Sequence, residues 1–440
     1  MAKKKRIIII GAAGRDFHNF NILYRDDKNT EVIAFSATQI PNIANRKYPP
    51  SLAGKFYPKS IGIIDEKDLE EVIRKKKIDE CVLSYSDLSY ETVMHLASRV
   101  ISAGAKFSML GIKQTMLKSK KPVIAVVAVR TGCGKSQTSR AIAEIFKKAG
   151  KKVALVRHPM PYGDLAKQKV QRYATLSDLK EYSCTIEEME EYEPHINMGN
   201  VVYAGVDYGE ILKTAEKEAD VIIWDGGNND TAFFKPDLTI TVTDPLRAGH
   251  EISYYPGEVN FRLANVIIIN KIDSADKKSV GTILKNAKKY NPRAQIIKTT
   301  SVINVENADL IKGKKVLAIE DGPTLTHGEA KIGVGVVAAL RNKALEIVDP
   351  RPFAFGEIKK IFDNYPNIGA LLPAIGYGDK QIQDLEKTIN KVNCDLVLIG
   401  TPVNLGRLIK INKPSIRITY DYPEETKQKL AKILKEKGFV

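Results

Sequence analysis

The residues Gly132-Cys133-Gly134-Lys135-Ser136 have the types and spacing needed to hold the phosphates of a nucleotide. They follow the apolar run VIAVVAV and precede an amphipathic stretch, so a strand, a loop and a helix are expected in that order. Backbone N–H groups of such a loop point at a diphosphate, the lysine reaches the β- and γ-phosphates, and the serine hydroxyl ligates Mg²⁺. The segment predicts a P-loop, with Lys135 catalytic and Ser136 a metal ligand.

Three neighbours complete this prediction. Val129 stands where the usual pattern has its first glycine, which shifts the turn from strand to loop. Arg130 and Gln137 lie beside the glycines and lysine and are predicted to bind the nucleotide with them.

A second apolar run, in KKVALVRHPMPYGDL (residues 151–165), ends at Arg157 and His158. If this strand lies beside the P-loop strand, Arg157 is placed to neutralise charge during phosphoryl transfer, and Asp164 to approach Mg²⁺. The alternatives are a surface ion pair for Arg157 and a turn residue for Asp164.

The segment ADVIIWDGGNND (residues 219–230) predicts another strand, ending at Asp225 before two glycines. P-loop enzymes hold Mg²⁺ or its water with a carboxylate at such a strand end, and glycines allow the backbone to approach a γ-phosphate. Asp225 is therefore predicted to be catalytic and a metal ligand, whereas Trp224 is expected to pack in the sheet.

The segment NVIIINKID (residues 265–273) predicts a strand followed by a base-binding loop. Asp273 could accept hydrogen bonds from two donors of guanine, the stem of Lys271 could lie on the base, and Asn270 could brace the loop. Adenine lacks that pair of donors, so this pattern indicates GTP.

Near the start of the chain, the turn from Gly11 to Asp16 follows the strand RIIIIG. It lacks the third glycine and the acidic residue of a dinucleotide-binding turn, so NAD is a weaker interpretation. Gly14, Arg15, His18 and Asn19 are predicted to bind an anionic substrate. The alternative is a surface turn with a solvated arginine.

Alternation of short apolar runs with amphipathic helices predicts an α/β protein with parallel sheets. Three domains are expected: a Rossmann-like, substrate-binding unit at residues 1–120, a P-loop unit at 121–313, and a third α/β unit at 314–440. The basic linker LKSKKP, ending at Pro122, marks the first boundary. In the third unit, Glu320, Asp321 and His327 flank a loop at a strand end, and the charged helix 424–436 is expected on the surface.

Composition excludes several classes of protein. The chain has 440 residues, 68 Lys plus Arg and 52 Asp plus Glu, giving a formal charge of +16. The lysines are scattered without a basic block interleaved with aromatics, which argues against nucleic acid and favours a solvated surface or a phosphorylated metabolite. Four isolated cysteines without metal-ligand spacing indicate reduced thiols, and no run of about 20 apolar residues predicts a membrane span.

Taken together, these motifs resemble cyclic 2,3-diphosphoglycerate synthetase and the related P-loop GTPases. The likeness extends through IIIIGAAGRDFHNFN, RTGCGKSQTSR, VRHPMPYGDL, WDGGNNDTAFFKPDLTITVTDPLRAGHE, NKID and EDGPTLTHG, nearly the whole chain. The resemblance implies a SIMIBI-type P-loop domain, a cytoplasmic location, a homodimer, and ATP with Mg²⁺ as co-substrate and cofactor.

The implied reaction closes 2,3-diphosphoglycerate into an internal phosphoanhydride with release of ADP and phosphate. Such chemistry depends on positioning and on cations that offset phosphate repulsion. The residues Asn270-Lys271-Ile272-Asp273 indicate GTP instead, so a GTP-dependent regulatory or chaperone-type GTPase with another substrate or a protein partner is the alternative.

Overall fold

The computed structural model describes residues 3–37, 43, 45–158, 163–227, 230–326, 331–376 and 378–440. Within these ranges, strands and helices alternate along the chain and the strands form three main sheets. The predicted α/β class is confirmed. The SIMIBI-type class and the domain boundaries at residues 120 and 313 stay predictions.

The first sheet is centred on the isoleucine run near the start of the chain. Residues Ile7 to Ile10 are almost fully buried, as expected for a parallel strand covered by helices on both faces. In spatial order, the strands are Lys47–Tyr48, Ile61–Asp65, Thr30–Ala37, Lys5–Ile10, Glu80–Leu83 and Lys106–Met109. The first pair is antiparallel and the other pairs are parallel. The helices are Arg15–Asn19, Phe20–Tyr24 (a π-helix), Pro50–Ala53, Leu69–Lys76 and Tyr90–Ser102.

The second sheet carries the P-loop. In spatial order, its strands are Gln171–Tyr173, Val201–Ala204, Val153–Arg157, Val221–Gly226, Val123–Ala128, Leu238–Thr243, Val266–Ile269 and Gln295–Lys298. The first pair is antiparallel and the rest run parallel. Because neighbouring parallel strands end at one edge of a sheet, the loops after them form one wall.

Helices cover both faces of this second sheet. They are Lys135–Lys148, Leu176–Glu181, Ile186–Asn197, Tyr208–Glu218, Gly257–Leu263 and Lys277–Tyr290. In the helix after the P-loop, Ile142 and Phe146 are four residues apart, lie on one face and are fully buried. Their burial fixes the helix so that its amino end stands over the strand end. Trp224 is also fully buried, as predicted.

The third sheet lies at the carboxyl end of the chain. Its strands are Val302–Val305, Ser415–Asp421, Leu396–Ile399, Lys315–Asp321 and Glu346–Ile347 in spatial order, and Leu372–Ala374 pairs with Lys315–Asp321. Its helices are Gly322–Thr326, Val334–Arg341, Gly356–Asn364, Asp379–Lys391 and Glu424–Glu436. Strand Val302–Val305 precedes the predicted boundary at residue 313 but pairs with Ser415–Asp421, so chain order and sheet membership differ there.

The expected surface position of helix Glu424–Glu436 is wrong in part. Leu430, Ile433 and Leu434 are buried and belong to the same apolar core as Phe146 of the P-loop helix. The helix therefore joins the end of the chain to the second sheet. The apolar face of this helix consists of only these three residues, and the many charged residues made it hard to recognise in the sequence.

Candidate functional site

The P-loop adopts a backbone that requires glycine. Gly134 has φ +107°, and a Cβ atom there would lie 2.2 Å from Nδ2 of Asn270. That Nδ2 atom donates a hydrogen bond to the carbonyl of Cys133 at 2.9 Å, so Asn270 braces the loop. At the position of the missing glycine, Val129 N donates to the carbonyl of Val242 at 3.1 Å and continues the sheet, which accommodates a side chain.

Lys135 and Arg157 converge on Asp225. The Lys135 Nζ atom lies 2.8 Å from one Asp225 carboxylate oxygen, and an Arg157 guanidinium nitrogen contacts the other. Burial disfavours the charged carboxylate, but Arg157 and Lys135 outweigh it and hold the pKa of Asp225 below its usual range. Burial in turn lowers the pKa of Lys135. The three residues predicted to be catalytic therefore form one charged cluster.

Glu191 is a member of this cluster that the sequence analysis missed. It lies on helix Ile186–Asn197, contacts Arg157, and accepts a hydrogen bond from the Ser136 hydroxyl at 3.1 Å. The helix carries five glutamates, of which Glu187, Glu188, Glu190 and Glu193 are buried. The sequence did contain one signal for Glu191, namely the number of acidic residues on a helix that also carries apolar core residues. Carboxylates are buried only where they are paired, so some of them had to have partners.

The donor set beside the P-loop fits Mg²⁺. Hydroxyl and carboxylate oxygens are its preferred protein ligands, and Ser136 and Glu191, which line the cavity, supply them here. Asp225 does not line the cavity, and its two oxygens contact Lys135 and Arg157, so its predicted role as a ligand stays a prediction. No group of three or more His, Cys, Asp or Glu side chains is arranged to hold a metal ion in the described part of the chain, so phosphate oxygens and water would complete the shell.

Asp164 lies away from the P-loop cavity, and its predicted role as a metal ligand is not supported by this placement. Asp164 is exposed, its carboxylate accepts a hydrogen bond from Ala166 N at 2.9 Å, and it does not line the cavity beside the P-loop. The alternative interpretation as a turn residue is the one that fits, because the short local hydrogen bond is typical of an aspartate turn.

Lys271 and Asp273 of the NKID segment lie in two different places, one on the P-loop and one on the surface. Lys271 Nζ donates to the carbonyl of Gly132 at 2.7 Å and lies 3.1 Å from an Asp244 carboxylate oxygen, so it rests on the P-loop. Asp273 instead pairs with Arg341 at 3.0 Å on the surface and does not line the cavity. In this arrangement, Asp273 is therefore not positioned for the predicted contact with a guanine base.

Arg130 and Gln137 are engaged with other segments. Arg130 is buried, its Nε atom donates to Asp87 at 2.6 Å, and its guanidinium lies 3.7 Å from the ring centroid of Tyr254. The Gln137 side-chain oxygen accepts a hydrogen bond from Ser301 at 2.9 Å, while its Nε2 atom is buried and has no partner in the described part of the chain. Both residues line the cavity beside the P-loop, and their role in nucleotide binding stays a prediction.

The predicted anion site after the first strand faces the loop that connects strands Val221–Gly226 and Leu238–Thr243. Arg15 is buried, pairs with Asp230, and lies 4.6 Å from the ring centroid of Phe233. The interpretation of Arg15 as a solvated surface residue is therefore wrong. Gly14 and Arg15 both line the cavity.

His18 and Asn19 are placed differently from the prediction. His18 stacks on Phe233 with ring centroids 4.2 Å apart, and its Nε2 lies 2.7 Å from the Thr115 carbonyl. Burial, with Arg15 nearby, lowers the pKa of His18 to about 3, so the ring is neutral. Asn19 donates to Ser84 at 2.9 Å, and neither residue lines the cavity. The single N–H of the neutral ring is used by the Thr115 carbonyl and none is left for an anion, so His18 packs the first helix against Phe233 instead.

All three sheets contribute to one cavity of about 640 Å³. The carboxyl end of strand Lys315–Asp321 brings Glu320 and Asp321 to it, while His327 lies outside the described residues. Burial raises the pKa of Glu320 to about 8 and that of Asp321 to about 6, although backbone N–H groups of Val336 and Thr324 oppose it. The cavity thus combines cations at the P-loop with acidic groups from the third sheet.

The strand order, the glycine loop and the contact between Lys135 and Asp225 define a protein with a P-loop fold. No family model matches the chain. It is 58% identical over 434 residues to the arginine synthetase ArcE of Thermococcus kodakarensis, covering 99% of this chain and 97% of that protein. The chain belongs to the ArcE family.

Solved structures give weaker likenesses. LpxK from Aquifex aeolicus, solved with ATP, covers 73% of this chain and 90% of its own at 14% identity and a TM-score of 0.42. A nucleotide-binding protein from Archaeoglobus fulgidus, solved with ADP, covers 40% of this chain and 80% of its own at 17% identity and a TM-score of 0.22. Neither superposition supports an assignment beyond the one above. No helix in the described ranges is long and apolar enough to span a membrane.

Proposed function

We propose that this chain is an ATP-dependent synthetase that forms arginine. The full-length identity of 58% to an arginine synthetase carries the proposal. The cavity supports it, because Lys135 and Arg157 suit the phosphates of a nucleotide, while Asp321, with a pKa of about 6, supplies a carboxylate for a cationic group of an amino acid.

The chemistry follows from the guanidinium group. Its simplest precursor is a ureido group, whose carbon reacts with an amine only after its oxygen becomes a leaving group. The γ-phosphoryl group moves to the ureido oxygen and ADP leaves; a nitrogen nucleophile then attacks the carbon, the C–O bond breaks, and phosphate leaves as the nitrogen loses a proton. In the first step Lys135 and Arg157 stabilise charge on the transferred group. Mg²⁺, held by Ser136 with Asp225 or Glu191, would neutralise phosphate charge.

A second candidate is the cyclisation of 2,3-diphosphoglycerate that the sequence resemblance implies. The cations Lys135, Arg157 and Arg247 in the cavity favour a phosphorylated substrate. Asp321 weighs against it, because its pKa of about 6 leaves the carboxylate mostly ionised near neutral pH, where it would repel a second polyanion. The hydrogen bonds of Asn270 and Lys271 to P-loop carbonyls also support a GTPase as a third candidate.

One experiment separates these functions. The protein is incubated with Mg²⁺ and ATP or GTP, and either with L-citrulline (the ureido analogue of arginine) plus ammonium or with 2,3-diphosphoglycerate. We expect arginine and ADP in equal amounts from citrulline, ammonium and ATP, detected by mass spectrometry. A cyclic diphosphate in the phosphorus NMR spectrum would establish the second candidate instead. GTP turnover indifferent to both compounds would establish the GTPase.

A further inference from the structure

His158 lies at the wall of the cavity, one residue beyond Arg157. A Cβ atom on Gly14 would lie 2.7 Å from its Nδ1 atom, and one on Gly227 would lie 2.4 Å from it. Both glycines line the cavity. The lack of side chains at these two positions therefore leaves room for the imidazole, whose Nδ1 edge lies against two residues that line the cavity, as His158 itself does.

The other ring nitrogen faces inward. Nε2 is buried and has no hydrogen-bond partner among the described residues, and Oδ2 of Asp230 lies 3.9 Å from it. Asp230 is itself fixed by Arg15. A buried ring nitrogen without a partner costs stability, so its retention needs a reason. An aspartate near one nitrogen of a histidine that lines a cavity is the arrangement that orients a general base.

We propose that His158 is the general base of the second half-reaction and that Asp230 is its positioning residue. This inference rests on the proposed function. Nδ1 takes the proton that the nitrogen nucleophile loses as it attacks the activated carbon. The proton on Nε2 then points to Asp230, whose carboxylate stabilises the imidazolium, and the pair resets by releasing the proton to solvent.

The charges around His158 suit a base that acts only after the nucleotide has bound. The groups facing it are Arg15 and His18 from the first helix, Arg157 from its own strand, Lys135 from the P-loop helix, Asp230, and the hydroxyl-bearing rings of Tyr192 and Tyr208. Burial and the cations lower the pKa of His158 well below its ordinary value. Nucleotide phosphates would neutralise Lys135 and Arg157, so the basicity of the ring should rise when the first step becomes possible.

Kinetics of the two half-reactions test this role in the full-length chain. With citrulline and ATP but no ammonium, we expect His158→Gln and His158→Ala to keep the initial burst of ADP. With ammonium, arginine formation should fall by about 100-fold or more, the usual contribution of a general base. Added imidazole should restore at least about tenfold of that loss in His158→Ala, which a merely structural role would not allow.

His95→Gln is the matched control, because His95 is an exposed histidine on helix Tyr90–Ser102. Its arginine formation should equal that of the unsubstituted protein. Arginine formation within about threefold of normal in His158→Gln, or an equal loss of burst and product without imidazole rescue, overturns the inference.

A second measurement keeps the inference distinct from the proposed function. If the unsubstituted protein makes no arginine, the proposed function fails, and histidine NMR decides the role of His158. Its signal is assigned by its loss in His158→Gln and titrated with and without a non-hydrolysable ATP analogue and Mg²⁺. An upward shift of the titration midpoint by about one pH unit supports a nucleotide-coupled base. An unchanged midpoint overturns it.

Discussion

Lys135 Nζ lies 2.8 Å from the carboxylate of Asp225, and it also donates to the Asp225 carbonyl at 2.6 Å. The lysine expected to reach the β- and γ-phosphates is thus held by the carboxylate expected near Mg²⁺. Phosphate oxygens must compete with Asp225 for this ammonium group, while Arg157 keeps the carboxylate paired. Nucleotide binding therefore exchanges one charge pair for another and leaves no buried charge alone.

Replacing this lysine should abolish turnover. We expect Lys135→Ala to lower the rate of ADP formation by about 10³-fold or more, because a preorganised cation at the transferred phosphoryl group is lost. The matched control is Lys148→Ala, an exposed lysine at the end of the same helix. A coupled ADP assay measures both variants, and comparable rates would contradict the role assigned to Lys135.

Arg157 should also support folding. It is buried between Asp225 and Glu191, so Arg157→Ala leaves a carboxylate oxygen of Asp225 without its cation. We expect a loss of about 3–5 kcal/mol in the free energy of unfolding, measured by urea titration. Arg172→Ala removes a guanidinium from an exposed pair with Glu218 and should cost at most about 1 kcal/mol. Equal losses in the two variants would contradict burial as the cause.

Local chemistry explains what the sequence could predict. Gly132 to Ser136 are adjacent in the chain, and Asp225 and Asn270 each follow an apolar run. Because parallel strands end at the same edge of a sheet, the sequence was enough to predict that these residues lie together. The partners of Arg15 and Arg157 could not be predicted in this way. Arg15 pairs with Asp230, 215 positions away, and the contact of Arg157 with Glu191 depends on how a helix lies on the sheet.

The failure at His18 and Asn19 has the same origin. Their spacing after a glycine turn allows an anion site or a buried seam, and the choice depends on which surface covers the turn. Phe233, in the loop between strands Val221–Gly226 and Leu238–Thr243, covers it, which desolvates the imidazole and leaves it neutral. No pattern within the first 120 residues contains that information.

The pairing of Asp273 bears on the choice of base. Because Asp273 pairs with Arg341 outside the cavity, we expect Asp273→Ala to leave the ratio of ATP to GTP turnover within about twofold. Arg341→Ala, which removes the same pair from the other side, should behave alike. A GTP-selective loss of about tenfold or more in Asp273→Ala alone would show that this carboxylate contacts guanine after all.

Stability should depend on pH through Glu320. Its pKa is about 8 in the folded chain against 4.5 unfolded, so between these values the folded state binds more protons. Its contribution is fully present below pH 4.5 and is lost as the pH rises through 8. We therefore expect Glu320→Gln to become more stable relative to the unsubstituted protein as pH rises from 5 to 8, by roughly 1–4 kcal/mol.

Urea titrations at several pH values measure this effect. Glu425→Gln is the control, because Glu425 is exposed and pairs only with Lys429 on its own helix among the described contacts. Its stability difference should not change over that range. A difference for Glu320→Gln that is flat or that falls with pH would contradict a raised pKa at Glu320.

The carboxyl-terminal helix should be part of the folding unit of the P-loop sheet. Leu434 is fully buried in the core that contains Phe146, so Leu434→Ala removes apolar contacts and leaves a cavity. We expect a loss of about 2–4 kcal/mol in the free energy of unfolding. We also expect weaker nucleotide binding at urea concentrations just below the unfolding transition, because the P-loop helix loses a packing partner. Leu345→Ala, at a residue that is 68% exposed, should stay within about 0.5 kcal/mol. A separate early unfolding step that removes the helix without changing nucleotide affinity would show that the helix is only an appendage.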